Sequence, residues 1–354
     1  MYFKYKYKFL IVFIIFIKYF NVSFGKLKKK VGIIGLAHSQ NIGNNLVKYS
    51  IFIKLIELGY TPYIVGTRFR NHNISFILDN VNLRLIKNFS EIKENDFDIL
   101  IVNSDQTWNA YTPNFENIGL LKFAEKWNKT KFIYATSLGF QDWKFSKKYE
   151  KMAKNLLPSF SGISVREKYS VKLIKTHLGF NSQFVLDPTF LIDKKYYLNL
   201  IKDFKSDIIN QINNKNYIFA YILKNSSNIK NYISYVKKKL NTSIFYITIH
   251  TKNQVKEFLY GISNCKAVIT NSFHGGVFSI IFKKPFVFFL KTNDDIRFNN
   301  LMEVFDIKGR MVKVNTIPSI ELIEKPLIFN ESKLITLKEE SIDYLKSNLN
   351  YNSN

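Results

Sequence analysis

The sequence predicts an α/β protein built from two Rossmann-like domains, each a mostly parallel sheet covered by helices. Three observations predict it. Apolar runs of about four residues recur along the chain without the in–out alternation of a half-exposed strand. Segments with helical spacing separate these runs. The series pauses near residue 190 and starts again, so 354 residues divide into two units of ordinary domain size.

Taken in order, Val31-Gly32-Ile33-Ile34-Gly35 reads as the first buried strand. Residues 41–45 form a polar turn into a helix carried by Leu46, Ser50, Ile53, Leu55 and Leu58 and closed by Gly59. A second strand is expected at 62–65, and residues 67–95 are irregular, with room for a short strand or two. Runs at 99–102, 132–135, 163–165 and 184–186 complete the first series. The second series has strands at 217–223, 244–247, 267–269 and 286–289, with helices at 226–240, 252–262, 275–283 and 296–305. Residues 333–349 are helical and are expected to pack back on the first domain. The expected division is a basic and apolar segment at 1–30, domains at 31–190 and 191–332, and a C-terminal helix at 333–354.

The formal net charge is +25, from 52 Lys and Arg against 27 Asp and Glu. Such a charge attracts anions: phosphorylated substrates, an acidic membrane surface or nucleic acid. The lysines are dispersed and no nucleic-acid motif is present, so a nucleic-acid partner is not expected. Cys265 is the single cysteine, which excludes an intrachain disulfide and a cysteine metal site. Lys4, Lys6 and Lys8 precede the apolar run 9–17, which Lys18 interrupts. That run is too short for a bilayer core, which takes about 20 residues. It suits either a signal-like segment with small residues near Ser23 and Gly25, or a membrane-associating segment with Lys26, Lys28, Lys29 and Lys30 on anionic head groups.

The most informative stretch is Ile-Thr-Asn-Ser-Phe-His-Gly-Gly-Val-Phe-Ser-Ile-Ile-Phe-Lys-Lys-Pro-Phe at 269–286. A buried strand ends at Asn271 and Ser272, and a helix follows with Val277, Ile280 and Ile281 on one face. His274 lies at that helix start beside Gly275 and Gly276, where unpaired backbone N–H groups can meet an anion. The pattern fits an anion site with a proton donor in it; it also fits a glycine-rich turn carrying a histidine.

This stretch resembles the C-terminal signature of the polysaccharide pyruvyl transferase family. Five further blocks resemble the same family in the same order: Asn-Ile-Gly-Asn at 41–44 with Leu46-Val47-Lys48-Tyr49, the block 98–109 around Asn103-Ser104-Asp105-Gln106, Tyr-Ala-Thr-Ser-Leu-Gly at 134–139, Ile-Ser-Val-Arg-Glu at 163–167, and Val-Leu-Asp-Pro-Thr at 185–189. Asn103 stands where the family usually has glycine, and Gly276 where many relatives carry Thr or Ala. The resemblance implies a GT-B-like fold, with the two domains facing across a cleft. It also implies transfer of pyruvate from phosphoenolpyruvate to a sugar of a cell-surface polysaccharide or its precursor; no cofactor and, from the residues themselves, no metal are expected. The acceptor would be a glycan or a lipid- or nucleotide-linked sugar, met in the cytoplasm at the inner membrane face; export is the alternative.

By the same resemblance Arg166 grips the donor, since a planar guanidinium suits a small polyanion; otherwise it is a surface arginine paired with Glu167. His274 is the acid–base candidate, because an imidazole titrates near neutrality. It protonates the methylene, deprotonates the attacking hydroxyl, or holds phosphate; the other reading is a structural histidine. Ser272, Gly275 and Gly276 offer donors to the anion, and Ser137 lies at another matched strand end. Asn41, Gly43 and Asn44 form an anion nest or a helix cap. Asp105 orients sugar hydroxyls, acts as base, or caps a helix. Asp187 fixes the turn between the domains.

Asp96-Phe97-Asp98 mimics a metal motif but precedes a strand, and His38, His72, His177 and His250 lack zinc spacing. No phosphate-binding P-loop or nucleophile elbow occurs. Two rivals remain: a glycosyltransferase using a nucleotide sugar, and a non-catalytic glycan- or membrane-binding relative.

Overall fold

The computed structural model describes residues 28–36, 41–67, 80–205, 216–247, 253–290, 296–307, 309–313 and 316–351. The expected segment at 1–30 therefore lies almost wholly outside the described residues, as do His38, His72 and His250. No described helix is long and apolar enough to cross a membrane.

Two parallel sheets organise the chain. The first takes β1 (Lys30–Ile34), β2 (Thr61–Thr67), β3 (Leu83–Ile86), β4 (Ile99–Val102), β5 (Thr130–Thr136), β6 (Gly162–Val165) and β7 (Gln183–Phe184), in the order β3-β2-β1-β4-β5-β6-β7. The second takes β8 (Tyr217–Tyr221), β9 (Ser243–Tyr246), β10 (Ala267–Thr270), β11 (Phe286–Phe289) and β12 (Met311–Val312), in the order β12-β11-β10-β8-β9. Every pairing is parallel. Strands such as Ile-Leu-Ile-Val of β4 are buried along their whole length, because helices cover both faces.

The longer helices are α1 (Ile42–Glu57), α2 (Lys147–Leu156), α3 (Lys168–Leu178), α4 (Ser227–Lys239), α5 (Gln254–Asn264), α6 (Phe273–Ile281), α7 (Ile296–Val304) and α8 (Glu331–Leu349). Helix α1 starts earlier than the polar residues suggested. Asn41 caps it by accepting the Asn44 N–H at 3.1 Å, so Asn44 and Asn45 lie inside the first turn. Gly59, at φ 90°, takes the left-handed conformation that ends it.

In each sheet the strand order reverses at one place, between β1 and β4 and between β8 and β10. Crevices at such reversals, beyond the carboxyl ends of the strands, are where open α/β sheets hold ligands. Helix α1 leaves β1 at the first reversal and α6 leaves β10 at the second, and their starts meet. A Cβ on Gly43 would fall into the His274 ring, 2.7 Å from Cε1 and closer still to Nδ1. Below that contact the domains share one core, with Tyr197 edge-on to Phe278 at 4.9 Å and hydrogen-bonded to Ser50 at 2.7 Å.

Helix α8 returns to the first sheet. Tyr344 Oη donates to the Ile133 carbonyl at 2.8 Å, and the Leu186 N–H donates to Ser341 Oγ at 2.9 Å. Asp96 and Asp98 bind backbone N–H groups of Lys93 and Lys30 at 2.9 and 2.7 Å, at the strand entrances and far from the carboxyl edge.

Candidate active site

Several side chains gather where the two sheet reversals face one another. Arg166 follows β6 directly and its side chain is 1% exposed. Its Nη1 donates to Asp187 Oδ2 at 2.7 Å, its Nη2 to Asp105 Oδ1 at 3.0 Å and its Nε to Glu167 Oε1 at 3.2 Å. The guanidinium also lies over the Phe273 ring, 4.5 Å from its centroid. This corrects the alternative reading of a surface arginine paired with Glu167. Arg166 is a buried hub that holds three carboxylates in fixed places.

His274 enters from the second domain, as the second residue of α6. Its Nε2 stands 3.8 Å from Asp187 Oδ2, an ion-pair distance too long for a hydrogen bond, and has no hydrogen-bond partner. Asp187 therefore lies between Arg166 and His274. Its other oxygen accepts from the Thr189 N–H at 3.0 Å and the Thr189 hydroxyl at 2.7 Å. Asp187 thus does the turn-forming work expected of it and stands within the cluster as well.

Asp105 occupies φ 79° and ψ −163°, a region almost reserved for glycine. Holding a non-glycine residue there costs on the order of 1–3 kcal/mol, and such strain concentrates at functional sites. The Ser137 N–H donating to the Asp105 carbonyl at 2.9 Å keeps it in place.

The charges are uneven. Burial alone would raise the Asp105 carboxyl, but Arg166 and His274 outweigh it and hold it below the usual range. Burial is outweighed at Asp187 too, by His274 and Arg166, and the carboxyl is held well below that range. Glu167 goes the other way, since burial prevails and pushes it up. Burial also opposes the Arg166 charge, but its three carboxylate neighbours raise it further above the ordinary value. Cys265 is buried away from this cluster, its thiol pushed up to about 12 by burial, which makes it unreactive.

The other residues singled out in the sequence divide. Ser137 is fully buried at the end of β5 and its Oγ has no hydrogen-bond partner. Asn41 and Asn44 bond to each other as a cap, which removes one donor from the expected anion nest. Gly43 is needed for the approach of His274. Gly275 and Gly276 also serve packing. A side chain at Gly275 would strike Thr270, and one at Gly276 would strike Phe298. Ser272 caps α6 without a side-chain bond to its backbone, and its hydroxyl lies against the Tyr221 phenol.

Asn300 of α7 closes the cleft beside Arg166. Its Oδ1 accepts the Lys168 N–H at 2.9 Å and its Nδ2 donates to the Arg166 carbonyl at 3.3 Å. A narrow crevice there is lined by Arg166, Asp187, Phe273, Asn300, Leu301 and Phe305. Asn300 had no motif around it in the sequence, so nothing there marked it.

The family model described as polysaccharide pyruvyl transferase matches residues 41–290, a span that contains Asp105, Arg166, Glu167, Asp187 and His274 but not Asn300 or the other groups of α7. The chain belongs to the polysaccharide pyruvyl transferase family. Among curated proteins none matches the sequence. Solved structures similar in fold include MnaA from S. aureus with UDP, at TM-score 0.55 and 13% identity over 92% of this chain and 97% of that one. UDP-GlcNAc 2-epimerase from Methanocaldococcus jannaschii scores 0.52 at 15% identity, over 92% and 94% of the two chains. HepE from Anabaena in complex with UDP and glucose scores 0.51 at 11% identity, over 90% and 95%. At such identities the likeness shows the fold alone, and that fold is GT-B-like.

In this member of the pyruvyl transferase family, Gly43→Ala should be disabling out of proportion to its size. The added methyl has to displace the imidazole or part the domains. A fall in turnover of at least about tenfold is expected; activity within twofold of wild type would show that the Gly43–His274 contact has no bearing on the reaction.

Proposed function

We propose that the protein transfers pyruvate from phosphoenolpyruvate to a pair of hydroxyls on one sugar of a glycan precursor, forming a cyclic ketal and releasing phosphate. The observation that carries this reading is the meeting of His274 and Arg166 on Asp187 across the domain boundary.

The reaction needs a proton delivered to the enol methylene. The His274 imidazolium gives its Nε2 proton to that carbon, the double-bond pair forms the new C–H bond, and positive charge develops at the central carbon. Asp187 stabilises the imidazolium before transfer, as a carboxylate beside a catalytic histidine does. One sugar hydroxyl then attacks the central carbon and loses its proton to Asp105, which is ionised because its carboxyl is held low. The second hydroxyl forms the other C–O bond as the bond to phosphate breaks, and its proton leaves with the phosphate. Arg166 keeps three carboxylates at fixed positions near a cation that forms only in the transition state, which is where electrostatic preorganisation accelerates a reaction.

No step of this route takes an electron or needs a metal. The acceptor is a lipid- or nucleotide-linked sugar, and the net charge of +25 favours work at an anionic inner-membrane surface, in the synthesis of an envelope or exopolysaccharide. Incubation of the protein with phosphoenolpyruvate and diol-bearing glycan precursors should give products heavier by one pyruvyl ketal, with equimolar phosphate. Glycosyl transfer from UDP-sugars, with phosphoenolpyruvate untouched, would replace this reading by the nucleotide-sugar one.

A further inference from the structure

One buried cation in the cluster has no partner. Lys48 lies on α1 and is 2% exposed, yet among the described residues its Nζ has no hydrogen-bond partner. It sits one helical turn beyond Asn44, and the Asp105 charge acts on it. It is not alone in being left open. Asn103 Oδ1 is likewise buried without a hydrogen-bond partner, as are Ser137 Oγ, which faces Glu167, and His274 Nε2, 3.8 Å from Asp187. Asn103 and Ser137 end β4 and β5 on either side of Asp105. Buried polar atoms left unpaired together point to a missing polar occupant.

The charge of the cluster says what that occupant is and what must meet it. The Arg166 charge is outnumbered by Asp105, Asp187 and Glu167 around it, so by itself it cannot welcome a phosphate or a carboxylate. We propose that Lys48 is the cation that receives the anionic group of the donor, a role that the bound arginine cannot fill. This rests on the phosphoenolpyruvate reading and names a residue for it.

Without ligand, burial pulls the Lys48 ammonium down to about 7, with Asp105 acting in the opposite direction. Arg166, Asp187, His274 and Arg297 act in turn on Asp105. An anion beside Nζ restores the charge, so binding above pH 7 takes up a proton.

The test is calorimetry at pH 8 with phosphoenolpyruvate, inorganic phosphate and pyrophosphate, in two buffers of different ionisation heat, on wild type, Lys48→Met and Lys48→Arg. Wild type should take up a proton that Lys48→Met does not. Lys48→Met should bind phosphoenolpyruvate about 30-fold or more weakly, and Lys48→Arg should recover part of the loss. Methionine removes an unpaired buried amine, so Lys48→Met should also melt higher, by about 2–4 °C. Lysine-dependent binding of phosphate or pyrophosphate with phosphoenolpyruvate ignored would uphold the role of Lys48 and end the donor assignment. Wild-type affinity for phosphoenolpyruvate in Lys48→Met would overturn the role of Lys48 and leave the donor standing. No binding of any of the three anions by wild type would also overturn it.

Discussion

Arg166→Ala should lose both activity and a large part of the protein's stability. The substitution leaves Asp105, Asp187 and Glu167 buried without the cation that holds them. Breaking a buried ion pair by removing one partner costs about 3–5 kcal/mol, and here three contacts go at once. A drop in Tm of about 10 °C or more is the expected reading at neutral pH. Lysine should not rescue it, because an ammonium cannot serve three carboxylates through a planar fork.

The sign of the pH dependence follows from the directions of the shifts. Asp105 and Asp187 are held below their ordinary values in the folded state. They therefore contribute stability in full above about pH 4, the unfolded aspartate value, and lose it as pH falls further. Glu167 is raised, so its contribution runs the other way and weakens the fold as pH rises above the unfolded glutamate value. Without Arg166 the two aspartates lose the partner that depresses them. The stability deficit of Arg166→Ala should then shrink on acidification from pH 7 to pH 4, in denaturant titrations of both proteins. A deficit that does not change over that range would mean that the carboxylates do not depend on Arg166.

His274→Ala should act on the chemistry and spare the fold. Its Nε2 makes no hydrogen bond, so removing the ring breaks no bond there. A positioned acid or base contributes about 10²–10⁴ in rate, and turnover should fall by that factor with Tm changed by only a few degrees. His274→Gln, which can hold phosphate as a neutral donor but cannot deliver a proton, should be as slow as alanine. Wild-type turnover in either variant would remove His274 from the mechanism. Substantial rescue by glutamine would leave it as a phosphate ligand.

The elements that were legible in the sequence are those with local signals. The strands at 99–102, between Asp98 and Asn103, and at 286–289, after Lys283-Lys284-Pro285, are uninterrupted apolar runs, and they occur where those runs occur. Strand β3, Leu-Arg-Leu-Ile, was blurred by its arginine, as suits an edge strand only partly buried. His274 and Asp105 were legible because rare residue types stand at strand ends in motifs.

What was not legible depends on tertiary packing. Nothing local marks Lys48 as buried; it is covered because α1 is enclosed along most of its length. Glu167 read as a surface partner of Arg166, and its burial was not visible because both neighbours are charged. Gly275 and Gly276 were singled out for their backbone donors, while their close packing on Thr270 and Phe298 is a tertiary feature. Asn300 gave no signal because its partners, the Arg166 carbonyl and the Lys168 N–H, are backbone groups of the other domain.

Proton delivery to the donor methylene across the domain boundary is the central step of the proposed reaction. The measurement is an NMR spectrum of the ketal formed from phosphoenolpyruvate and a diol-bearing sugar in D2O, with phosphate quantified in the same tube. The expected result is a methyl group carrying one deuterium, one phosphate per ketal, and both products slowed together in His274→Ala. An unlabelled methyl, or phosphoenolpyruvate left intact beside every acceptor, would contradict it.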